Sequence, residues 1–262
     1  MQPFYWVVDK FFICMFQNNI TCDLYIGSGA GKKLHQDILS AKKSVKIISP
    51  YISGSQVDLL LGKMNEKIDV RIITSSDIIG FKNALSIFRR IIVQTSFTNS
   101  AKSKAKKKYL NCSFFAAVVI CILLFSGFCF QMPQTVLYAV ITVLFLVMLY
   151  SFYKYKVMRV LYFKYSWRFP IKVLLSGNNK FVHSKIYLID DQIAYVGSMN
   201  FTEKGMKYNH ESRIRFVNEE TVQKLTKEFD DLFTNPDYMA MDPYSILKVL
   251  NVDPHKGLFV NS

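Results

Sequence analysis

Residues 109–153 form a stretch of 45 residues without one charged side chain. A helix needs about 20 apolar residues to cross a bilayer, so this stretch is long enough for two crossings and a tight turn. We predict a first span at residues 112–130 and a second at residues 136–150, separated by a proline-containing break at residues 131–134. The alternative is a pair of buried core helices, which would show a polar stripe that this sequence lacks.

The basic charge of the chain is concentrated around the same stretch. The net charge is +14, from 33 Lys and Arg against 19 Asp and Glu. No acidic residue occurs between Asp77 and Asp190, whereas that segment contains 16 Lys and Arg. The remainder has 17 basic and 19 acidic residues, so the basicity does not describe a general nucleic-acid-binding surface.

Basic residues flank both ends of the hairpin, and its turn has none. They are Lys102, Lys104, Lys106, Lys107 and Lys108 before it, and Lys154, Lys156, Arg159, Lys164 and Arg168 after it. The positive-inside rule predicts a membrane protein with two spans whose soluble parts and both termini lie in the cytoplasm. The same cations can attract anionic headgroups, at about 1 kcal/mol per residue near the surface.

Residues 1–16 have no basic n-region or cleavage site of a signal peptide, so an interfacial helix or a first strand is expected there.

Apolar strands and amphipathic helices are predicted on both sides of the hairpin. Before it, strands are predicted at 22–26, 45–49 and 70–74, with helices at 33–44 and 56–66. After it, strands are predicted at 171–175, 181–189, 193–196 and 212–217, followed by a helix at 219–233 and an irregular tail from Asn235. The alternation of strands and helices before the hairpin predicts a mainly parallel sheet with helices on its faces. The glycines at 27, 29 and 31 match no phosphate-binding motif, so an ordinary strand-to-helix turn is expected.

The chain is thus predicted to be one α/β domain split by an insertion. The predicted parts are 1–76 and 169–234 for the domain, 77–168 for the insertion with its hairpin, and 235–262 for the tail.

The segment after the hairpin carries a chemically suggestive pattern. If residues 181–189 form a strand, His183, Lys185 and Tyr187 share one face. An imidazole and an ammonium group two residues apart suit a phosphodiester, which needs a nucleophile or acid–base group and a positive charge for its phosphoryl oxygens. Ser198 ends the next strand and Asn200 follows, so both can supply donors to the same oxygens.

This segment resembles the phospholipase D superfamily, whose pattern is H-x-K-x4-D-x6-G-S-x-N. Every fixed position is matched from His183 to Asn200, and a downstream Asn-x-Glu is matched by Asn209 and Glu211. The segments at 34–53 and 69–75 resemble the amino-terminal half of that family. The resemblance covers about 170 residues. It implies a sandwich of mixed sheet flanked by helices, here interrupted by a transmembrane hairpin.

The resemblance also implies roles for individual residues. His183 would attack phosphorus to form a phosphohistidine, and Lys185, Ser198 and Asn200 would bind the phosphoryl oxygens. Glu211 would hydrogen-bond the His183 ring and set its tautomer. Asp190 belongs to the catalytic motif and is expected to support the loop geometry rather than to touch substrate.

Neither a metal nor another cofactor is expected. The five cysteines include no C-x-x-C pair, and histidine is scarce. The family chemistry uses two motifs, one His as nucleophile and one as general acid, and this chain has a single motif. His35, His210 and His255 lack a Lys two residues later. A homodimer is therefore expected, with its active site at the two-fold axis.

Two enzymatic functions remain open from the sequence. The first is a membrane-embedded phosphodiesterase or phosphatidyltransferase that acts on phospholipid, as cardiolipin synthases of this superfamily do. The alternative is a membrane-anchored nuclease that cleaves nucleic acid phosphodiesters. A non-catalytic membrane scaffold is disfavoured because it would not need a complete motif.

Overall fold

The computed structural model describes residues 18–130, 133–176, 182–253 and 255. These residues form two compact units. The sheet unit contains the described residues up to Val93 and those from Tyr165 to 253, and the hairpin unit contains Gln94–Lys164 with residue 255. The segment 1–16, predicted to be an interfacial helix or a strand, lies outside the described residues.

Short strands and helices alternate in both parts of the sheet unit. Before the hairpin they are β1 (Asp23–Ser28), α1 (Gly31–Ser40), β2 (Ser44–Ile48), α2 (Gly54–Asn65), β3 (Asp69–Ser75), a 3-10 helix (Ser76–Gly80) and α3 (Ala84–Ile91). Around the hairpin follow β4 (Ile92–Thr98), α4 (Ser100–Phe130), α5 (Gln134–Val157) and β5 (Leu161–Trp167). After it come β6 (Ile171–Leu174), β7 (Ile186–Ile189), β8 (Ile193–Gly197), α6 (Glu203–Lys207), β9 (His210–Phe216), α7 (Glu219–Thr234), β10 (Ala240–Met241) and α8 (Pro243–Val249).

The main sheet has eight strands in the order β1-β9-β8-β7-β2-β3-β6-β10. Only β2 with β3 and β3 with β6 pair in parallel, and the other neighbours are antiparallel. The mixed α/β fold is confirmed, but the expectation of a mainly parallel sheet is wrong. Strand–helix alternation indicates which elements form, but β1 lies at the sheet edge against β9 rather than beside β2.

One face of the sheet is covered by α7. Its apolar side chains Val222, Leu225 and Phe229 are buried in one cluster with residues of β2, β3, β6, β7 and β8. The helix begins where the side chain of Asn218 accepts a hydrogen bond from the backbone N–H of Thr221. Its observed bounds agree closely with the predicted 219–233. This packing holds β7 and β8, the strands next to the catalytic motif, against the sheet core.

The strand predicted at 181–189 is shorter in the structure. Strand β7 spans Ile186–Ile189, residues 182–185 are not strand, and Phe181 lies outside the described residues. The strand begins there because its partner β2 ends at Ile48, which lies opposite Ile186. The motif residues before Ile186 are therefore held by a loop, and strand alternation does not set the directions of their side chains.

The predicted irregular tail also contains regular structure. Strand β10 pairs with β6, and α8 follows directly. Asp242 caps this helix because its carboxylate accepts hydrogen bonds from the N–H groups of Tyr244 (2.8 Å) and Ser245 (3.1 Å), and Pro243 occupies the first turn. An Asp-Pro pair is a recognisable helix start, and the sequence interpretation missed it.

The hairpin unit contains two helices that are long and apolar enough to cross a membrane, Ser100–Gly127 and Gln134–Val157. The full helix α4 contains the predicted span 112–130, and α5 contains the predicted span 136–150. Both helices extend beyond these spans because the lysine-containing flanks are also helical. Only 11% of the most apolar part of the first helix and 6% of that of the second are buried within the chain. So little burial does not fit the alternative of a pair of core helices.

Asp190 ties the turn between β7 and β8 to the start of β2. Its carboxylate accepts hydrogen bonds from the backbone N–H groups of Lys42 (3.0 and 3.1 Å), Lys43 (2.6 Å) and Ser44 (2.9 Å), and its own N–H donates to the carbonyl of Ser44 (2.9 Å). Partial burial raises the pKa of Asp190, but these backbone donors outweigh the burial and bring the pKa below its ordinary value. The residue also has a left-handed backbone, with φ of 56°.

We predict that Asp190→Asn lowers the free energy of unfolding by about 1–3 kcal/mol, because a neutral amide accepts these hydrogen bonds less strongly. Asparagine tolerates the positive φ, so the change tests the charge rather than the backbone. Asp191→Asn is the matched control: Asp191 has φ of 52°, and its carboxylate is 49% exposed in an ion pair with Lys46. We expect the control variant to lower the free energy of unfolding by less than about 1 kcal/mol.

Denaturant unfolding of the full chain between pH 3 and pH 7 measures both variants. Because the folded pKa of Asp190 is lowered, its contribution is present above the unfolded value of about 3.9 and is lost as the pH falls through the folded pKa. Asp190→Asn should therefore flatten this acid-side dependence. Equal destabilisation by the two variants would contradict the assigned role.

Candidate active site

The motif residues meet at one edge of the main sheet, which is formed by the ends of its central strands and not by an outer strand. Lys185 directly precedes β7, Ser198 directly follows β8, and Glu211 is the second residue of β9. These three strands are antiparallel neighbours, so the start of β7, the end of β8 and the start of β9 lie at the same edge. The carboxyl end of β2 adjoins this edge, because Ile48 lies opposite Ile186.

His183 and Lys185 are in direct contact. The ammonium nitrogen Nζ of Lys185 lies 2.9 Å from Nδ1 and 2.9 Å from Nε2 of the His183 ring, and it donates to the His183 carbonyl at 2.6 Å. The His183 side chain is exposed, whereas Lys185 is only 4% exposed. An accessible imidazole thus lies beside a positive charge that is held inside the protein.

Ser198 and Glu211 join the ends of β8 and β9. The Ser198 hydroxyl donates to Oε2 of Glu211 at 2.5 Å and accepts from the backbone N–H of Ser212 at 3.1 Å. The other carboxylate oxygen of Glu211, Oε1, accepts from the amide of Asn209 at 3.1 Å. A buried carboxylate is costly unless hydrogen bonds compensate it, and these two donors provide that compensation. The predicted hydrogen bond from the His183 ring to Glu211 stays a prediction.

Gly197 is required by the close approach of β8 to β9. A Cβ atom at this position would lie 2.2 Å from the carbonyl oxygen of Ser212 and 2.7 Å from Cα of Arg213, which are closer than real Cβ contacts. Its N–H donates to the carbonyl of Lys185 at 3.2 Å, which connects the two parts of the motif. The glycine of the motif therefore has a packing role and lets Ser198 reach Glu211.

Asn200 is held by its backbone rather than by its side chain. The buried Tyr187 hydroxyl donates to the carbonyl of Met199 at 2.6 Å, and the N–H of Thr202 donates to the carbonyl of Asn200 at 2.8 Å. The side-chain oxygen Oδ1 of Asn200 is buried and has no hydrogen-bond partner among the described residues. This acceptor oxygen is therefore not used by the described part of the protein.

Asp190 is not brought to this edge. It follows β7, whereas Lys185 precedes that strand, so the whole length of the four-residue strand, about 13 Å, lies between them. Its carboxylate is occupied by the backbone groups at the start of β2. The structure thus gathers His183, Lys185, Ser198 and Glu211 at one edge and places Asp190 at the other.

Arg213 is a charged residue that the motif does not include. It lies on β9 two residues after Glu211, is 2% exposed, and has its guanidinium between the rings of Tyr25 (4.6 Å) and Tyr195 (4.9 Å). Burial lowers its pKa, and the neighbouring tyrosines partly oppose this. Alternation along β9 places residues 211 and 213 on one face, and this was the signal that sequence reasoning overlooked.

No group of three or more His, Cys, Asp or Glu side chains that could hold a metal ion occurs within residues 18–130, 133–176, 182–253 and 255.

A family model described as cardiolipin synthase, phospholipase D-like domain, matches residues 151–233. This range contains all the motif residues from His183 to Glu211. We found no match among curated proteins in a search by sequence.

Solved structures with a similar course of the chain include two bacterial proteins of comparable length. One is Nuc, a phospholipase D family member from Salmonella typhimurium, with 12% identity and a TM-score of 0.44 over 80% of this chain and 93% of that one. Another is NucT from Helicobacter pylori, with 13% identity and a TM-score of 0.42 over 84% of this chain and 99% of that one.

A larger protein, the phosphatidylserine synthase of Haemophilus influenzae, is 11% identical, with a TM-score of 0.41 over 88% of this chain and 44% of that one. Because these TM-scores lie below 0.5, the assignment rests on the family-model match and on the motif residues at one sheet edge. Residues 151–233 are thus assigned as a phospholipase D-like domain.

Proposed function

We propose that this protein is a membrane-embedded enzyme that hydrolyses a phospholipid headgroup ester or transfers its phosphatidyl group to an alcohol. The phospholipase D-like domain supports phosphodiesterase activity of the phospholipase D type. The observation that carries the finer proposal is the presence, in one chain, of the site around His183 and of two exposed apolar helices long enough to span a bilayer.

The proposed reaction begins when a neutral His183 ring attacks phosphorus. A nitrogen–phosphorus bond forms, the phosphorus–oxygen bond of the leaving alcohol breaks, and that alcohol takes a proton from a general acid. Water or a second alcohol then attacks the phosphohistidine and releases His183. The contact between Lys185 and the His183 ring supports a role for Lys185 in neutralising the phosphoryl oxygens.

The remaining motif residues have supporting roles in this proposal. The amide of Asn200 and the hydroxyl of Ser198 bind the phosphoryl oxygens, and Glu211 orients the His183 ring. The hydrogen bond from Ser198 to Glu211 supports a shared polar network into which the ring nitrogen of His183 can donate.

We also propose that the active form is a homodimer. The chain contains one motif, and the reaction needs a second imidazole as the general acid. His183 of a second chain can supply it if the two sites meet at a two-fold axis. The exposure of the His183 side chain supports this arrangement, since a nucleophile closed inside its own chain could not approach a partner.

The proposed location is the cytoplasmic side of a membrane. The cations that flank the hairpin on both sides, with none in its turn, support an orientation with the catalytic residues in the cytoplasm. A hairpin in the same chain would keep the enzyme at the surface where phospholipid phosphates occur. Nucleic acid is the alternative substrate, and the experiment below includes it.

We predict that the purified full chain releases headgroups from, or exchanges headgroups on, phospholipids dispersed in mixed micelles. His183→Ala should lower the rate by more than about 10³-fold, because loss of a nucleophile removes the covalent pathway. His35→Ala is the matched control, since this histidine lies on α1 outside the motif, and its rate should be unchanged.

Single-stranded DNA and RNA are offered in parallel with the phospholipids. Cleavage of nucleic acid with intact lipid, together with a steep loss of binding on addition of salt, would replace the lipid proposal by the nuclease alternative. Full activity of His183→Ala would contradict the mechanism for either substrate.

The dimer leads to a separate prediction. When wild-type and His183→Ala chains are co-expressed at equal levels, about a quarter of randomly assembled dimers contain two intact sites. Specific activity should fall to about that fraction rather than to one half, because a mixed dimer lacks either the nucleophile or the acid. The proportion of each species is measured with two affinity tags. An active species of monomer mass in detergent would overturn the proposal.

The burial of Lys185 predicts that activity declines at a lower alkaline pH than the ordinary pKa of a lysine would give. Burial lowers the pKa of Lys185 below the ordinary 10.5, and the nearby charge of Glu211 partly opposes this. Only the ammonium form neutralises phosphoryl oxygens, so kcat/KM should decline as the pH rises through a value below 10.5.

Two variants test the assignment of this limit. Lys185→Arg keeps its charge across the range and should remove the alkaline decline, even if the maximal rate falls. Lys204→Arg, a change at an exposed lysine on α6, should leave the profile unchanged. A decline that persists in Lys185→Arg would show that another group titrates.

A further inference from the structure

The hairpin unit carries positive charge that nothing in its own sequence neutralises. Residues 94–164 contain nine Lys and Arg and no Asp or Glu. Five of the nine precede the uncharged stretch on α4, and the other four follow it, on α5 and beyond. Charge at this density attracts an anionic counterpart from outside the chain.

Aromatic rings hold several of these cations close to the helices. Nζ of Lys106 lies 5.1 Å from the ring centre of Tyr155, and Nζ of Lys154 lies 5.5 Å from that of Tyr150. Lys102 lies 5.0 Å from the ring centre of Tyr162 and also donates to its hydroxyl at 2.5 Å. Interleaved cations and amphipathic rings are typical of the headgroup level of a bilayer.

A groove of about 330 Å³ opens between α4 and α5 at this level. It is lined by Ala105, Lys108, Tyr109, Cys112 and Ser151. The four α4 residues follow at intervals of three, one and three, so they lie on one face of that helix. Across from them, Ser151 of α5 is only 3% exposed, whereas most of its neighbours on α5 face outward.

The groove lies where both helices change from charged to uncharged sequence. Lys108 is the last charged residue before the uncharged stretch, and Ser151 lies three positions before Lys154, the first charged residue after it. Beyond the groove, α4 presents exposed apolar side chains such as Phe114 and Phe115. A molecule bound there would thus meet a cation and hydroxyl groups at one end and apolar surface at the other.

We infer that this groove binds the phosphate headgroup of an anionic phospholipid from the bilayer, at a site separate from the catalytic residues. Lys108 contributes the positive charge, and the hydroxyls of Tyr109 and Ser151 donate to the phosphate oxygens. No carboxylate competes, because residues 94–164 contain none. The inference rests on the proposed insertion of the hairpin in a membrane and not on the proposed reaction.

Native mass spectrometry of the full chain in detergent tests the site, with His183→Ala as the background so that no lipid is consumed. The probes are dioleoyl phosphatidylglycerol, which is anionic, and dioleoyl phosphatidylcholine, which is zwitterionic. Phosphatidylglycerol should bind more tightly, and Lys108→Gln should weaken it by about five-fold, as expected for one surface cation.

Lys107→Gln is the matched control, since it removes the same charge one residue earlier, from outside the groove. It should weaken binding by less than about two-fold, because a more distant charge is screened. Ser151→Leu fills the groove without changing the net charge and should weaken binding as much as Lys108→Gln. Circular dichroism checks that the helices remain formed in each variant.

Three results would overturn the inference. Equal losses in Lys107→Gln and Lys108→Gln would mean that the lysines act as a diffuse charge. Equal binding of the two lipids would show that the groove does not select an anionic headgroup. Full competition by millimolar inorganic phosphate would identify a free-anion site instead. A negative result in the lipid enzyme assay would not change the interpretation of these binding experiments, because binding is measured in the His183→Ala background.

Discussion

The pairing of β3 with β6 holds the two halves of the sheet unit together. These strands lie on opposite sides of the hairpin in the sequence, yet Ile72 lies opposite Ile171 in a parallel ladder. A second pairing, of β2 with β7, brings the start of the motif to the carboxyl end of β2. Without these two ladders, β2 and β3 would pair only with each other, and the start of the motif would not lie beside the carboxyl end of β2. The insertion is therefore compatible with the fold because it leaves and re-enters the sheet unit between strands that are neighbours.

The candidate site lies where the ladders of β7 with β2, of β7 with β8 and of β8 with β9 end. A strand end has backbone groups without ladder partners, and here polar side chains satisfy them. The Ser198 hydroxyl accepts from the N–H of Ser212 and donates to Glu211, so it both extends the β8–β9 connection and holds a carboxylate in place. Lys185 is buried at the same edge beside an exposed His183. Packed strands beneath the edge thus support an accessible imidazole at its surface, which is the arrangement that the proposed covalent mechanism requires.

The sequence predicted local features well and long-range ones less well. The motif from His183 to Asn200, the uncharged hairpin, most strands of the sheet unit and its helices α1, α2 and α7 could be found because each depends on residues close together in the chain. Strand order could not, because β1 pairs with β9 through contacts that no local pattern encodes. The late start of the strand predicted at 181–189 has the same origin, since β7 begins at Ile186, where its pairing with β2 and β8 begins. The burial of Arg213 between two tyrosine rings likewise depends on three different strands.

The position of β1 at the sheet edge also bears on how the protein is made. Its partner among the described strands, β9, is synthesised only after the whole hairpin has left the ribosome. At about 5–20 residues per second, β1 waits on the order of ten seconds or more for its partner. During that interval the translocon can insert the hairpin while the early strands are still unpaired at their outer edges. If the hairpin lies in a membrane as proposed, its insertion would precede completion of the sheet, and a chain whose hairpin failed to insert would expose both its apolar helices and its open strand edges to aggregation.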